Sequence, residues 1–167
     1  MEIKMPLYNI LNFFLVGMVT IGCIIMLFPE KIIAFIISDY YDKLSTVSEG
    51  ILLVGICAMT YEIGLILNRA ASVIIEPILI KTGIIRFVDH AIFAQKAKEF
   101  PILNTLSREY ALSRTSIFQF LVLTMIAICV HKWTLAGMFV ACVVIFTLSC
   151  RKHAGKIVEI IEPCKEA

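Results

Sequence analysis

Residues 114–152, RTSIFQFLVLTMIAICVHKWTLAGMFVACVVIFTLSCRK, contain two apolar runs separated only by His131 and Lys132. The runs, about 114–130 and 133–150, are long and apolar enough to cross a bilayer core of about 30 Å. Two residues between them allow nothing but a tight antiparallel hairpin. Arg114 stands at one far end and Arg151 and Lys152 at the other, so both open ends lie on one side of the membrane.

Two more runs precede the hairpin. Residues 7–28 carry no charge over 22 positions, and residues 50–67 carry one, Glu62. With 60 % hydrophobic residues in 167, the chain has too little polar surface for a soluble domain. The expected fold is all-α, a four-transmembrane-helix bundle with helices extended into the cytoplasm, built as a single integral membrane domain over 1–167.

Lysine and arginine orient it. Twelve of the fifteen fall at the N-terminus (Lys4), in 68–115 or in the tail; only Lys31, Lys43 and Lys132 fall on the other side. By the positive-inside rule both termini are cytoplasmic. Tyr40, Tyr41 and Trp133 fall near the outer boundary, where aromatic rings settle. The first run is too long for a cleaved signal segment and has no small-x-small site after Phe28, so it reads as a retained anchor.

The outer loop, 29–49, carries Ile32, Ile33, Phe35, Ile36 and Ile37, too few to span and suited to the interface, followed by Asp39 and Asp42. Thr46 and Glu49 have capping-box spacing and should start the second helix. Past Arg69 that helix should run on, through a bend at Pro77, to a stop at Lys81-Thr82-Gly83. Residues 84–99 form a short amphipathic piece with Ile84, Phe87, Val88, Ala91 and Ile92 on its apolar side. The third helix should begin after Pro101, and the fourth should continue through 151–162 before Pro163. Residues 68–113 and 151–162 then make a cytoplasmic helical platform. Its basic groups, Arg86, Lys96, Lys98, Arg108, Arg151 and Lys152, suit a protein partner or anionic lipid.

Gly55, Glu62, Arg69 and Glu76 recur every seven residues, each about 20° from the last around the helix. Ala58 and Ser72 share that face. A charge facing lipid is costly, so the face should point into the bundle or an oligomer interface. Gln119, Arg69 or Arg114 is the expected partner of Glu62. On the fourth helix, Gly137 and Ala141 have the spacing for close helix contact. Three roles compete for the stripe: a polar contact that fixes register or assembly, a conduction or proton path through Glu62, and an enzyme site at the inner interface.

Catalytic templates fare poorly. Asp89-His90 has no Ser or Cys placed as its nucleophile, and His131 and His153 belong to a turn and to the basic tail. No metal-ligand spacing, HExxH or Gly-rich phosphate loop occurs, so neither metal nor cofactor is expected. The six cysteines lie in or beside spans and in the tail, which argues against a disulfide framework. Aromatics are sparse among the basic residues of 84–115, so direct nucleic-acid binding is not expected.

Asn68-Arg69-Ala70 and Glu76-Pro77 resemble a motif of the membrane-associated glutathione-metabolising transferases. The likeness covers under ten residues, lacks the further arginines, and sets the long loop after the second span rather than the first. Across most of its length the chain resembles in architecture the small four-span membrane subunits of bacterial anti-phage systems, the Kiwa type in particular, with 61–77 as the segment to align first. That resemblance implies a non-enzymatic, homo-oligomeric sensor or scaffold that recruits a cytoplasmic effector. A small channel or proton-coupled transporter using Glu62 is the alternative.

Overall fold

The computed structural model describes residues 4–30, 34, 46–86 and 90–162. Among these are five helices: α1 (Lys4–Leu27), α2 (Thr46–Lys81), α3 (His90–Glu99), α4 (Ile102–Cys129) and α5 (Trp133–Ile161). The fold is all-α, and four of the helices, all but α3, are long and apolar enough to cross a membrane. The chain is an integral membrane protein.

Local chemistry sets the helix ends. At the close of α2 the Gly83 N–H donates to the Ile80 carbonyl at 3.0 Å, and the Ile84 N–H to the Leu79 carbonyl at 3.1 Å. Gly83 takes φ 68°, a left-handed cap that glycine adopts without a Cβ penalty. The same pair of bonds closes α4: His131 N–H to Ile128 O at 3.0 Å, and Lys132 N–H to Ala127 O at 2.9 Å. There the left-handed position is held by His131, at φ 60°. The two-residue hairpin read from the sequence is thus made by a cap without glycine. α2 continues through Pro77, and α5 runs on to Ile161.

The chain divides into two compact units, Met1–Ile66 with Val122–Gly137, and Leu67–Leu121 with Met138–Ala167. In the first, α1 and α2 touch backbone to backbone. A Cβ added at Gly17 would come well within 3.0 Å of the Thr60 carbonyl, and one at Gly64 equally close to the Phe13 carbonyl. Phe13 and Tyr61 meet edge to face, ring centres 6.0 Å apart. The fully buried Thr60 turns its hydroxyl back to the Ile56 carbonyl at 2.7 Å, so it brings no unpaired polar group into the contact. Lys132 Nζ donates to the Met26 carbonyl at 3.3 Å.

The second unit is built on Ala71, Ile75 and Leu79, one face of α2, packed with Ile85, Ile117, Cys150 and Ala154. Phe120 lies against Phe139 and Phe146 at centroid distances of 6.0 and 5.7 Å. The core thus takes a side of α2 other than the one that bears the charged stripe.

Of the amphipathic piece expected over 84–99, the described residues are Ile84 and Ile85, held in a turn by the α2 cap, Arg86, and the helix α3 from His90 to Glu99. No residue of α3 is buried, and Ala91 and Ile92 are exposed. The expected roles of Phe87, Val88, Asp89 and Pro163, and those of Lys31, Lys43, Tyr40, Tyr41, Asp39, Asp42 and the isoleucines of 32–37, lie outside the described residues, as does Cys164. The described cysteines, Cys23, Cys57, Cys129, Cys142 and Cys150, form no disulfide with one another.

Candidate functional site

α4 carries the buried polar groups. Ser113, Arg114, Thr115 and Ser116 are consecutive and all buried, and Gln119 follows one turn later at 2 % exposure. A helix with four successive buried positions is enclosed on every side at that level, so each polar group there needs a partner.

Within the second unit most of those partners are side chains of α2 and α5. Arg114 Nη1 donates to Glu76 Oε2 in an ion pair. Ser72, one turn before Glu76, donates its hydroxyl to the same oxygen at 3.4 Å. The Arg114 guanidinium also lies 5.8 Å from the centre of the Tyr110 ring, within cation–π range. Ser113 and Ser149 share a hydrogen bond at 3.1 Å. The Thr115 hydroxyl sits 2.9 Å from Asn68 Oδ1 and 2.8 Å from the Ala111 carbonyl. One hydroxyl hydrogen serves only one of them fully; with the Asn68 amide turned, Nδ2 donates to Oγ1 and both are satisfied. Below this layer His153 Nδ1 lies 3.1 Å from Glu109 Oε2.

Beside the ion pair is a cavity of about 370 Å³. Glu76, Arg86, His90, Ser107 and Tyr110 give its polar lining, and Phe93 and Ile157 part of its apolar wall. Its one carboxylate is engaged by Arg114. Among the described residues no group of three His, Cys, Asp or Glu could hold a metal ion.

The structure separates the residues that the sequence joined. Of the heptad stripe, only Glu76 meets an ionic partner. Gly55, Ala58, Glu62 and Arg69 are exposed, and among the described residues no ion pair or hydrogen bond engages the Glu62 carboxylate. Its expected pairing with Arg114 is replaced by Arg114–Glu76. The reason is register: Arg114 stands opposite Glu76, fourteen residues from Glu62, about 21 Å along the helix at 1.5 Å each. Gly137 and Ala141 are exposed too, and a Cβ at Gly55 or Gly137 would meet nothing within 4 Å. The close helix contact is made instead by Gly17 and Gly64.

Of the basic groups, Lys96 bonds Glu99 on its own helix at 2.8 Å. Arg86, Lys98, Arg151 and Lys152 are exposed, and Arg108 is half-buried. Sequence reasoning missed Asn68, Ser113, Thr115 and Ser149. The signal was the unbroken polar run 113–116 at the start of an apolar span, which the structure places inside. It missed Gly64 as well, although Thr60 and Gly64 have small-xxx-small spacing.

No protein-family model matches this chain, and no curated protein and no solved structure is found to be similar to it.

Proposed function

We propose that this chain is a non-enzymatic membrane subunit that assembles with copies of itself through the stripe face of α2 and recruits a cytoplasmic protein at its basic end. The observation that carries the assembly is Glu62. It is the one charge in an apolar span, it is exposed, and no side chain among the described residues pairs with it. A carboxylate left facing lipid costs a few kcal/mol, so a second chain that covers it relieves that cost. Gly55 and Ala58 flank Glu62 with small side chains and open space, which lets another helix approach closely.

The basic bias of 68–115 and 151–165 supports a cytoplasmic, inner-membrane orientation for that end. α3 supports a docking role there, since none of its residues is buried and its last turn carries Lys96 and Lys98. The likeness in architecture to membrane subunits of bacterial anti-phage systems supports defence as the setting.

The test is the mass of the detergent-solubilised particle. Wild type should run as an oligomer and Glu62→Leu should shift toward monomer; an unchanged particle of unchanged stability would sink the assembly. Recruitment is tested by isolating the tagged protein from its native host. A stoichiometric soluble companion, lost on Lys98→Glu, supports the role.

The same uncovered carboxylate favours one second reading, a small channel in which copies of Glu62 ring an axis. In liposomes its flux would depend on pH and vanish in Glu62→Gln; no flux in wild type removes this reading.

A further inference from the structure

The turn after α2 and the last turns of α5 enclose a cleft of about 340 Å³, apart from the cavity beside Glu76 though Arg86 borders both. Arg86 and Arg151 line it, with Gly83, Gly155, Val158 and Glu159. Both arginines are exposed, and among the described residues neither they nor Glu159 enters an ion pair. Two guanidinium groups on one small cleft repel each other, and the described lining residues, with one carboxylate, are net positive. The backbone N–H groups of Gly83, Ile84 and Ile85 are spent on the α2 cap, so an incoming anion would be held by the arginine side chains.

Position selects the anion. Arg151 is the first charged residue after an uncharged, mainly apolar run from Trp133, eighteen residues that span about 27 Å of helix. It therefore stands where hydrocarbon gives way to lipid phosphate. Glycines at 83 and 155 leave the cleft free of side chains there: a Cβ added at either would meet nothing within 4 Å. Guanidinium forks match phosphate oxygens two at a time, and basic pockets between membrane helices are suited to anionic head groups.

We infer that the Arg86–Arg151 cleft binds the phosphate of an anionic phospholipid head group. The inference is independent of the effector-recruiting role and needs no second copy of the chain.

The test is native mass spectrometry of the purified protein in detergent, titrated with phosphatidylglycerol, with phosphatidylcholine and with inorganic phosphate. Phosphatidylglycerol should bind in preference to phosphatidylcholine. Arg151→Ala should weaken it about tenfold, the scale of one lost charge-assisted contact. Gly155→Leu keeps both arginines and fills the cleft, and should weaken it at least as much. Lys98→Ala removes the same charge elsewhere and should leave binding unchanged. Equal loss in Arg151→Ala and Lys98→Ala would overturn the site in favour of diffuse attraction. Wild-type binding in Gly155→Leu would overturn it as well. Displacement of the lipid by millimolar inorganic phosphate would overturn the lipid as ligand and leave a free-anion site. Thermal midpoints confirm that each variant is folded, and Arg151→Gln replaces the alanine variant if that one is not.

Discussion

Arg114 of α4 gives its guanidinium to Glu76 of α2, and the pair ties the two helices together at the most polar level of the second unit. The Arg114 side chain is 10 % exposed and that of Glu76 25 %, so removing one partner strands a largely dehydrated charge. Arg114→Met or Glu76→Leu alone should each lower stability by about 1–3 kcal/mol, less than a fully buried pair because water still reaches Glu76. The double variant should recover part of that loss. Thermal unfolding of the four proteins in detergent checks it as a double-mutant cycle, and additive losses would mean that the pair is not coupled.

Glycine substitutions separate contact inside the chain from contact between chains. Gly17→Leu and Gly64→Leu drive a side chain into the facing backbone, where no rotamer gives relief. Each should cost about 3 kcal/mol or more, or prevent folding. Gly55→Leu has open space in the single chain and should leave its stability within about 1 kcal/mol. If the stripe face of α2 is the assembly surface, that same variant shrinks the oligomer, which sizing in detergent reads directly.

The two left-handed caps should respond in opposite directions. His131→Gly removes a Cβ penalty at φ 60° and should raise stability by about 1 kcal/mol. Its ring gives up little, a 3.3 Å contact to the Ile128 carbonyl and a loose approach to Trp133. Gly83→Ala introduces the penalty at φ 68° and should lower stability by a similar amount, about 1 kcal/mol. A gain in Gly83→Ala would show that the cap is not left-handed.

Thr115 and Thr147 offer a matched comparison. The Thr115 hydroxyl reaches both Asn68 on another helix and a carbonyl of its own, whereas Thr147 reaches only Val143 on its own helix, at 2.7 Å. Thr115→Val should cost about 1 kcal/mol, since the Asn68 amide loses its partner. Thr147→Val should stay within about 0.5 kcal/mol, because the carbonyl it abandons also takes a helix bond. Equal effects would mean that Asn68 does not use Thr115.

Parts of this are local and were readable in the chain. Thr82-Gly83 ends α2 and His131-Lys132 ends α4 because a cap is a property of a few successive residues. Pro101 sets the start of α4 for the same reason, and α2 runs through Pro77 to Lys81 as its sequence pattern predicts. The site was only half legible. Periodicity placed Glu62, Arg69 and Glu76 on one face but not what that face meets. Arg114 meets Glu76 and not Glu62, because spacing along one helix does not resolve how two helices slide past each other.

The sequence by itself determined the class, the four apolar spans, the helix ends and the charge asymmetry, since each follows from transfer energy and short-range geometry. Tertiary structure alone decided which helix is enclosed. α4 carries most of the buried polar side chains among the described residues, against Thr60 alone on α2, and half of the α4 apolar window is buried against 11 % for α2. That choice depends on where backbones can come closest, as at Gly17 and Gly64, and on the register that sets Arg114 on Glu76. Both are long-range geometric matches that no single stretch of chain encodes.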